Sequence, residues 1–370
     1  MLTLLALASA LDRGAAAYKA GDFVAAQAAY TQAVATSPRD ASARLGLGRL
    51  ELYRDQFDAA ERDLTAAAGT PATAPDAHRY LDQVRTRRAE FGRYDATLAG
   101  RTLRIPFVQR DPLPMVAVAV NGRPAHFLID TGAPDVVVDP DFAREIGATV
   151  TAAGSGVFAG GRRAPVSHTS LATFSLGGAD FADLQATVLP TRGLPFGGAI
   201  HIDGVIGTGF LAHFLATLDY AHSALVLAPR ASAPNVTGAT VVPMWFVGDH
   251  FLFARGTING VPMLMSVDTG LAGGGVLPSP ETVKSAGLTL DTAHASQGMG
   301  GGGPVTTIPF VAKSVTLGTL ARADVRGLYS PDGSPYTIFP FAVGAGISHG
   351  FFSPGTLTFD FTRMQLILTP

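Results

Sequence analysis

Apolar and polar positions follow two different rhythms along this chain. From Gly14 to Ala67, small and apolar residues return every 34 positions: Gly14 with Gly48, Phe23 with Phe57, Ala26 with Ala60, Ala33 with Ala67, and Tyr30 with the apolar Leu64. A period of that length predicts pairs of antiparallel helices that nest through their small residues. Asp22-Phe23 and Gln56-Phe57 follow the turn inside each pair; Pro38 closes the first repeat, and Pro71 comes one position early in the second. Beyond a proline-rich link from Thr70 to Pro75, Tyr80, Leu81 and Val84 share one face and predict a capping helix over Ala77 to Phe91. After Asp95 the helical rhythm gives way to short apolar runs punctuated by Gly and Pro, the pattern of an all-β region.

The β-rich part repeats itself. Asn121-Gly122-Arg123-Pro124 corresponds to Asn259-Gly260-Val261-Pro262, 138 positions on, and Asn-Gly predicts a type I′ hairpin turn in each copy. Each turn leads into an apolar strand, Ala125 to Ile129 or Met263 to Val267, that runs into Asp-Thr-Gly at 130–132 and again at 268–270. Apolar runs follow at 136–138 and 276–277. Near the ends, Leu218-Asp219-Tyr220 and Phe359-Asp360-Phe361 correspond at a spacing of 141, so the second copy carries three extra residues between these landmarks. Duplication of a β domain accounts for the pattern.

Two Asp-Thr-Gly turns from two equivalent halves suit one chemistry. The Asp supplies a carboxylate, the Gly permits a tight turn that brings amide N–H groups to it, and the Thr hydroxyl can brace the loop. Two carboxyls about 3 Å apart do not both ionise readily, so one keeps a proton while the other acts as a base. That arrangement activates water against an amide carbonyl. Asp130 and Asp268 are therefore the candidate catalytic residues, with Thr131, Gly132, Thr269 and Gly270 supporting the loops.

Composition narrows the alternatives. The 370 residues exceed one typical core, and 43 Gly, 25 Pro and only 15% charged residues describe a turn-rich globular protein. The formal charge of −2 supplies no basic field for nucleic acid, and the absence of Cys excludes disulfides, thiolate metal sites and a Cys nucleophile. Met1 to Ala10 is apolar and ends in Ala-Ser-Ala. It reads either as a truncated signal peptide lacking a basic start, hence a periplasmic or secreted protein, or as the start of the first helix. No later stretch approaches the ~18 apolar residues of a membrane span.

The 34-residue pattern resembles the tetratricopeptide repeat, over about two repeats and a cap. The C-terminal two-thirds resembles an aspartic peptidase of the retropepsin/pepsin superfamily, most closely bacterial single-chain proteins with tandem retropepsin-like domains. The expected architecture is multidomain: a signal-like or helical start at 1–10, an all-α helical repeat at 11–95, and an all-β bilobal aspartic-peptidase fold with lobes at 96–235 and 236–370. The family's hydrophobic-hydrophobic-Gly element is matched by Val205-Ile206-Gly207, whereas the second half reads Gly346-Ile347-Ser348. The resemblance also implies glycine-rich flaps, placed at Gly154 to Gly161 and Gln297 to Gly303. Candidate substrate-binding residues there are Gly154, Ser155, Gly156, Val157, Phe158, Gln297, Gly298, Met299 and Gly300. Ala133 and Leu271 stand where pepsin-like members place a hydroxyl residue, which predicts a higher dyad pKa and a mildly acidic to neutral optimum. The resemblance implies a polypeptide substrate, a protein partner for the repeats, a monomer whose lobes pair within one chain, and neither metal nor organic cofactor. A catalytically inactive binding or assembly protein is the alternative.

Other motifs weigh less. Gly346-Ile347-Ser348-His349-Gly350 spells a serine-hydrolase elbow, yet no later His follows it. Gly298, Gly300 and Gly303 spell a dinucleotide fingerprint, but Pro304 follows in place of a helix. His201, His213 and His222 cluster loosely without metal-ligand spacing.

Overall fold

The computed structural model describes residues 9–90, 92–158, 163–300, 302–353 and 355–370. The leader reading thus falls outside the described residues except at Ser9 and Ala10, where Ser9 caps and Ala10 begins the first helix. The chain forms two compact units, Met1–Phe91 with Phe339–Ala342, and Gly92–Ile338 with Val343–Pro370.

Among the described residues the first unit contains five helices: α1 (Ala10–Lys19), α2 (Phe23–Thr36), α3 (Ala41–Leu52), α4 (Phe57–Ala68) and α5 (Ala74–Glu90). Ser9, Asp22 and Asp40 cap the first three by accepting amide N–H bonds from the opening turns. The 34-residue period has a packing cause. A Cβ at Gly14 would lie 2.8 Å from the Tyr30 ring, and one at Gly48 would lie 2.8 Å from the Leu64 side chain. In each helix pair, glycine is the hole and the larger residue on the next helix is the knob. Helix α5 begins before Ala77 and includes Pro75 in its first turn, where a missing N–H forfeits no helical bond. Phe23 is fully buried, with its ring 4.9 Å from Phe341 and 5.7 Å from Tyr18. Ala342 N–H donates to Lys19 O at 2.8 Å, and of this tetrapeptide it is Phe341 that enters the unit's core.

In the second unit each Asn-Gly turn joins the strands that carry an Asp-Thr-Gly loop: Met115–Val120 with Arg123–Ile129, and Phe251–Ile258 with Val261–Val267. Both central residues have positive φ, 50° and 79° at 121–122 and 50° and 81° at 259–260, the type I′ geometry. The inner strand of each hairpin gains a parallel partner, Gly204–Ile206 or Ala345–Ile347. That partner's other edge takes Val136–Val138 or Val276–Pro278 in antiparallel pairing. Residues 136–138 and 204–206 are buried throughout, which explains apolar runs without alternation.

A six-stranded sheet joins the lobes. Leu103–Gln109, Ala224–Pro229 and Phe214–Asp219 come from one lobe; Thr356–Asp360, Gln365–Thr369 and Thr240–Val247 come from the other. At its centre Thr217 pairs with Thr358, and their hydroxyls lie 2.7 Å apart. These residues are equivalent at the spacing of 141 and mark the pseudo-twofold axis. Two of the second lobe's extra residues lie between Gly270 and Val276. The third falls between the short strand and the end of the long hairpin strand, at 138–176 in one lobe and 278–317 in the other.

Candidate active site

Both Asp-Thr-Gly loops leave their strands at the same point. Asp130 N–H donates to Ile206 O and Asp268 N–H to Ile347 O, each at 3.0 Å, so the parallel strand behind each loop pins its first residue. The loops then brace one another. Thr131 N–H donates to Thr269 Oγ1 and Thr269 N–H donates to Thr131 Oγ1, both at 3.0 Å. Each hydroxyl in turn donates across the axis, Thr131 to Val267 O at 2.9 Å and Thr269 to Ile129 O at 3.2 Å. Thr131 and Thr269 are buried, at 1% and 0% exposure, so these four bonds satisfy groups that have no access to water.

The glycines hold the carboxyls together. Gly132 N–H donates to Asp130 Oδ1 at 2.7 Å and Gly270 N–H donates to Asp268 Oδ1 at 3.0 Å. A Cβ at Gly132 would approach the Asp268 carboxyl to 2.7 Å, and a Cβ at Gly270 would collide with that of Asp130. Each carboxyl therefore lies directly over the glycine of the opposite loop. Burial raises both above the ordinary carboxylate range, but unequally. For Asp130, bonds from Gly132, Asp268 and Gly270, together with the charge of His250, oppose the rise. Asp268 stands well above the usual value through burial and the negative charge of Asp130. Two carboxyls so placed titrate as a unit, and the singly ionised pair shares one proton.

The surroundings of the two loops differ where the sequence departs from symmetry. A Cβ at Gly207 would collide with the Pro134 carbonyl and approach those of Ala133 and Asp135 to 2.6 and 2.7 Å, so only glycine fits there. At the equivalent position Ser348 is fully buried; its N–H donates to Gly275 O at 2.8 Å and its hydroxyl to Leu271 O at 3.0 Å. The two extra residues after Gly270 widen this loop and accommodate the side chain. Ser348 is a turn residue held by a backbone carbonyl, and the serine-hydrolase spelling has no chemical counterpart here.

The glycine-rich segments form hairpins: Thr151–Val157 with Arg163–Leu176, and Ser296–Gly300 with Gly303–Leu317. Gly154, Ser155, Gly156 and Phe158 lie on or just past the first strand, and Gln297, Gly298, Met299 and Gly300 lie on the second. Residues 159–161 and 301 of the expected flaps lie outside the described residues. The bonds seen in the second hairpin are internal or to its own lobe, such as Thr306 N–H to Asp332 at 2.6 Å. Among the loosely clustered histidines, His222 Nδ1 contacts Asp219 at 3.0 Å and His213 packs edge-on against Tyr94. Among the described residues no group of three or more His, Asp or Glu is arranged to hold a metal ion.

Two residues near the pair were not singled out from the sequence. The Tyr336 hydroxyl is buried against Gly346; burial and the charge of Asp268 raise its pKa. His250, at the end of a turn in the second lobe, acts electrostatically on Asp130.

The family described as Aspartyl protease matches residues 116–210 and 254–339, one segment per lobe, each spanning an Asp-Thr-Gly loop. Over these two segments the β-rich region is similar to the aspartyl protease family. Residues 17–82, ahead of these segments, match the Tetratricopeptide repeat family, a repeat associated with protein interaction. No curated protein matches the chain. Among solved structures, the chain is similar to a retropepsin-like aspartic protease from Rickettsia conorii, at 21% identity and a TM-score of 0.27. That match covers 34% of this chain and 89% of the other. Among the described residues no helix is long and apolar enough to cross a membrane.

Proposed function

We propose that the protein is an aspartic endopeptidase that hydrolyses peptide bonds in extended polypeptides through Asp130 and Asp268. The observation that carries this reading is the crossed packing of the loops: each carboxyl rests on the opposite glycine, and each threonine is bonded to the other. Such bracing fixes two carboxyls that would otherwise repel, which is the preorganisation that acid/base catalysis requires.

In the proposed reaction Asp130, ionised, takes a proton from a water as its oxygen attacks the scissile carbonyl carbon. Asp268, protonated, gives its proton to the carbonyl oxygen, so the tetrahedral intermediate forms as a neutral diol. On collapse, Asp130 passes its proton to the departing nitrogen, the C–N bond breaks, and Asp268 recovers a proton from the diol hydroxyl. The pair ends in its starting state. The glycine-rich hairpins would cover the substrate and offer backbone groups to an extended strand, and the tetratricopeptide repeats would recruit a protein partner or the substrate itself.

A peptide isostere bearing a hydroxyl in place of the scissile carbonyl tests the reading. It should block cleavage of unfolded polypeptide and raise the Tm of wild type but not of Asp130→Asn or Asp268→Asn. An isostere that raises all three Tm values equally, or none, would contradict a shared pair.

A further inference from the structure

Late in the second lobe the chain leaves its own unit after Ile338, lends Phe339–Ala342 to the helical unit, and returns at Val343. The excursion is short and firmly held. Phe341 is 5% exposed, with its ring 4.9 Å from that of Phe23, 5.5 Å edge-on from Tyr18 and 5.1 Å from Phe339, on which it stacks. Tyr18 ends α1 and Phe23 opens α2, so the ring closes the turn of that helix pair, and Ala342 N–H then donates to Lys19 O.

The flanks of this strap both bear on the strand that fixes Asp268. Downstream, Gly344 N–H donates to Leu264 O at 2.8 Å, and Gly344 O accepts from Ser279 N–H at 2.7 Å. Ala345–Ile347 then runs between Met265–Val267 and Val276–Pro278, and Ile347 O, five residues beyond Ala342, accepts the Asp268 amide. Upstream, Tyr336 is buried with its hydroxyl over Gly346, where a Cβ would collide with it and lie 2.8 Å from Leu271 of the Asp268 loop. The strand has three residues, and so short an element keeps its place only if its ends are held.

The first lobe holds its counterpart differently. Asp203 N–H donates to His126 O at 2.9 Å as Gly344 N–H does to Leu264 O, at spacings of 141 and 138, so Ile200 corresponds to Phe341. Ile200 packs against its own lobe's cluster of Leu113, Ile202 and Val205, and its N–H donates to Gly197 O at 2.9 Å. One loop is anchored within its lobe; the other is anchored on the helices.

We infer that Phe341 is a positioning residue for the Asp268 loop and that the helical unit is its anchor, so the repeats are a working part of the catalytic half that carries Asp268. Phe341 acts through the Ala345–Ile347 strand. The inference rests on the reading of Asp130 and Asp268 as one pair, because a small displacement of one loop against the other is what slows such a reaction. Freeing the ring loosens the strand from its leading end, and Asp268 shifts while Asp130 keeps its place.

Amide hydrogen exchange followed by NMR on the full chain tests this, because the pseudo-twofold supplies a matched control for each probe: Asp203 for Gly344, and Asp130 for Asp268. Wild type is compared with Phe341→Ala, Phe341→Leu and Phe23→Leu well below the Tm, with kcat and KM measured alongside. In Phe341→Ala the Gly344 and Asp268 amides should exchange roughly tenfold faster or more, with Asp203 and Asp130 unchanged. Its kcat should fall about 10- to 100-fold while KM stays within about twofold. Phe23→Leu, confined to the helical unit, should move the same two amides and kcat in the same direction. Phe341→Leu, which refills most of the site, should lie between wild type and Phe341→Ala, and the two leucine variants carry the test if the alanine variant does not fold. Gly344 and Asp268 amides that exchange as in wild type would overturn the inference, as would an acceleration shared by their counterparts Asp203 and Asp130. Acceleration confined to Gly344 and Asp268 in a protein that cleaves nothing would sink the peptidase reading and leave the strap standing. Unchanged amides in a protein that cleaves would sink the strap alone.

Discussion

Thr131 and Thr269 each use their hydroxyl twice, accepting from the opposite amide and donating to the opposite carbonyl. Replacing either with Val keeps the shape but strands a buried N–H and a buried C=O. Each substitution should therefore cost about 2–4 kcal/mol. Each change breaks two of the four bonds and none in common, but loosening one loop opens the other's stranded groups to water, so the double variant should cost less than the sum; thermal or urea unfolding of the four proteins measures this. Position 207 and its partner 348 offer a second contrast. Ser348→Gly loses one hydroxyl bond and should cost about 1 kcal/mol, whereas Gly207→Ser drives a Cβ into three carbonyls and should cost more than about 3 kcal/mol. Equal Tm losses would refute the claim that the longer loop after Gly270 makes the room. The pairing of Asp130 and Asp268 was legible because the chemistry of each lies in three contiguous residues that recur. The accommodation of Ser348 was not, since it depends on a carbonyl 77 residues away.

At the scale of elements, helices were readable where packing is local and periodic. Gly14 meets Tyr30 and Gly48 meets Leu64 within adjacent helices, so the same collision, repeated every 34 residues, leaves a repeated spelling. The early start of α5 was less legible because proline usually marks a boundary, and only its place in the first turn makes it acceptable. Nothing local announces that Phe341 joins the helical unit, 318 residues after the Phe23 ring it touches. Phe341→Ala should empty a buried aromatic site and cost that unit about 3–5 kcal/mol. Helical circular dichroism should then melt at a lower temperature. An unchanged helical transition would show that this tetrapeptide contributes no stability there. The β elements were readable through Asn-Gly turns and apolar runs, because fully enclosed strands leave unbroken Val and Ile segments.

Across the whole molecule, duplication supplies two carboxyls and the shared sheet sets them face to face, with the Thr217–Thr358 contact on the axis. Holding the pair together has a stability consequence. Asp268 is raised well above its unfolded value, so it costs the fold nothing below about pH 4, where Asp is protonated in both states. As pH rises past that point, the unfolded chain releases the proton that the folded chain keeps, and stability falls until the folded carboxyl also ionises. Asp268→Asn escapes this cost, so its Tm advantage over wild type should grow between about pH 4 and pH 7. A Tm difference independent of pH would refute the raised carboxyl. The most direct test of the central claim is kcat/KM on an unfolded polypeptide across pH for wild type, Asp130→Asn and Asp268→Asn. A single pair predicts a bell-shaped profile for wild type and a loss of roughly 10³-fold or more in each variant at every pH. Substantial cleavage by either variant would contradict it.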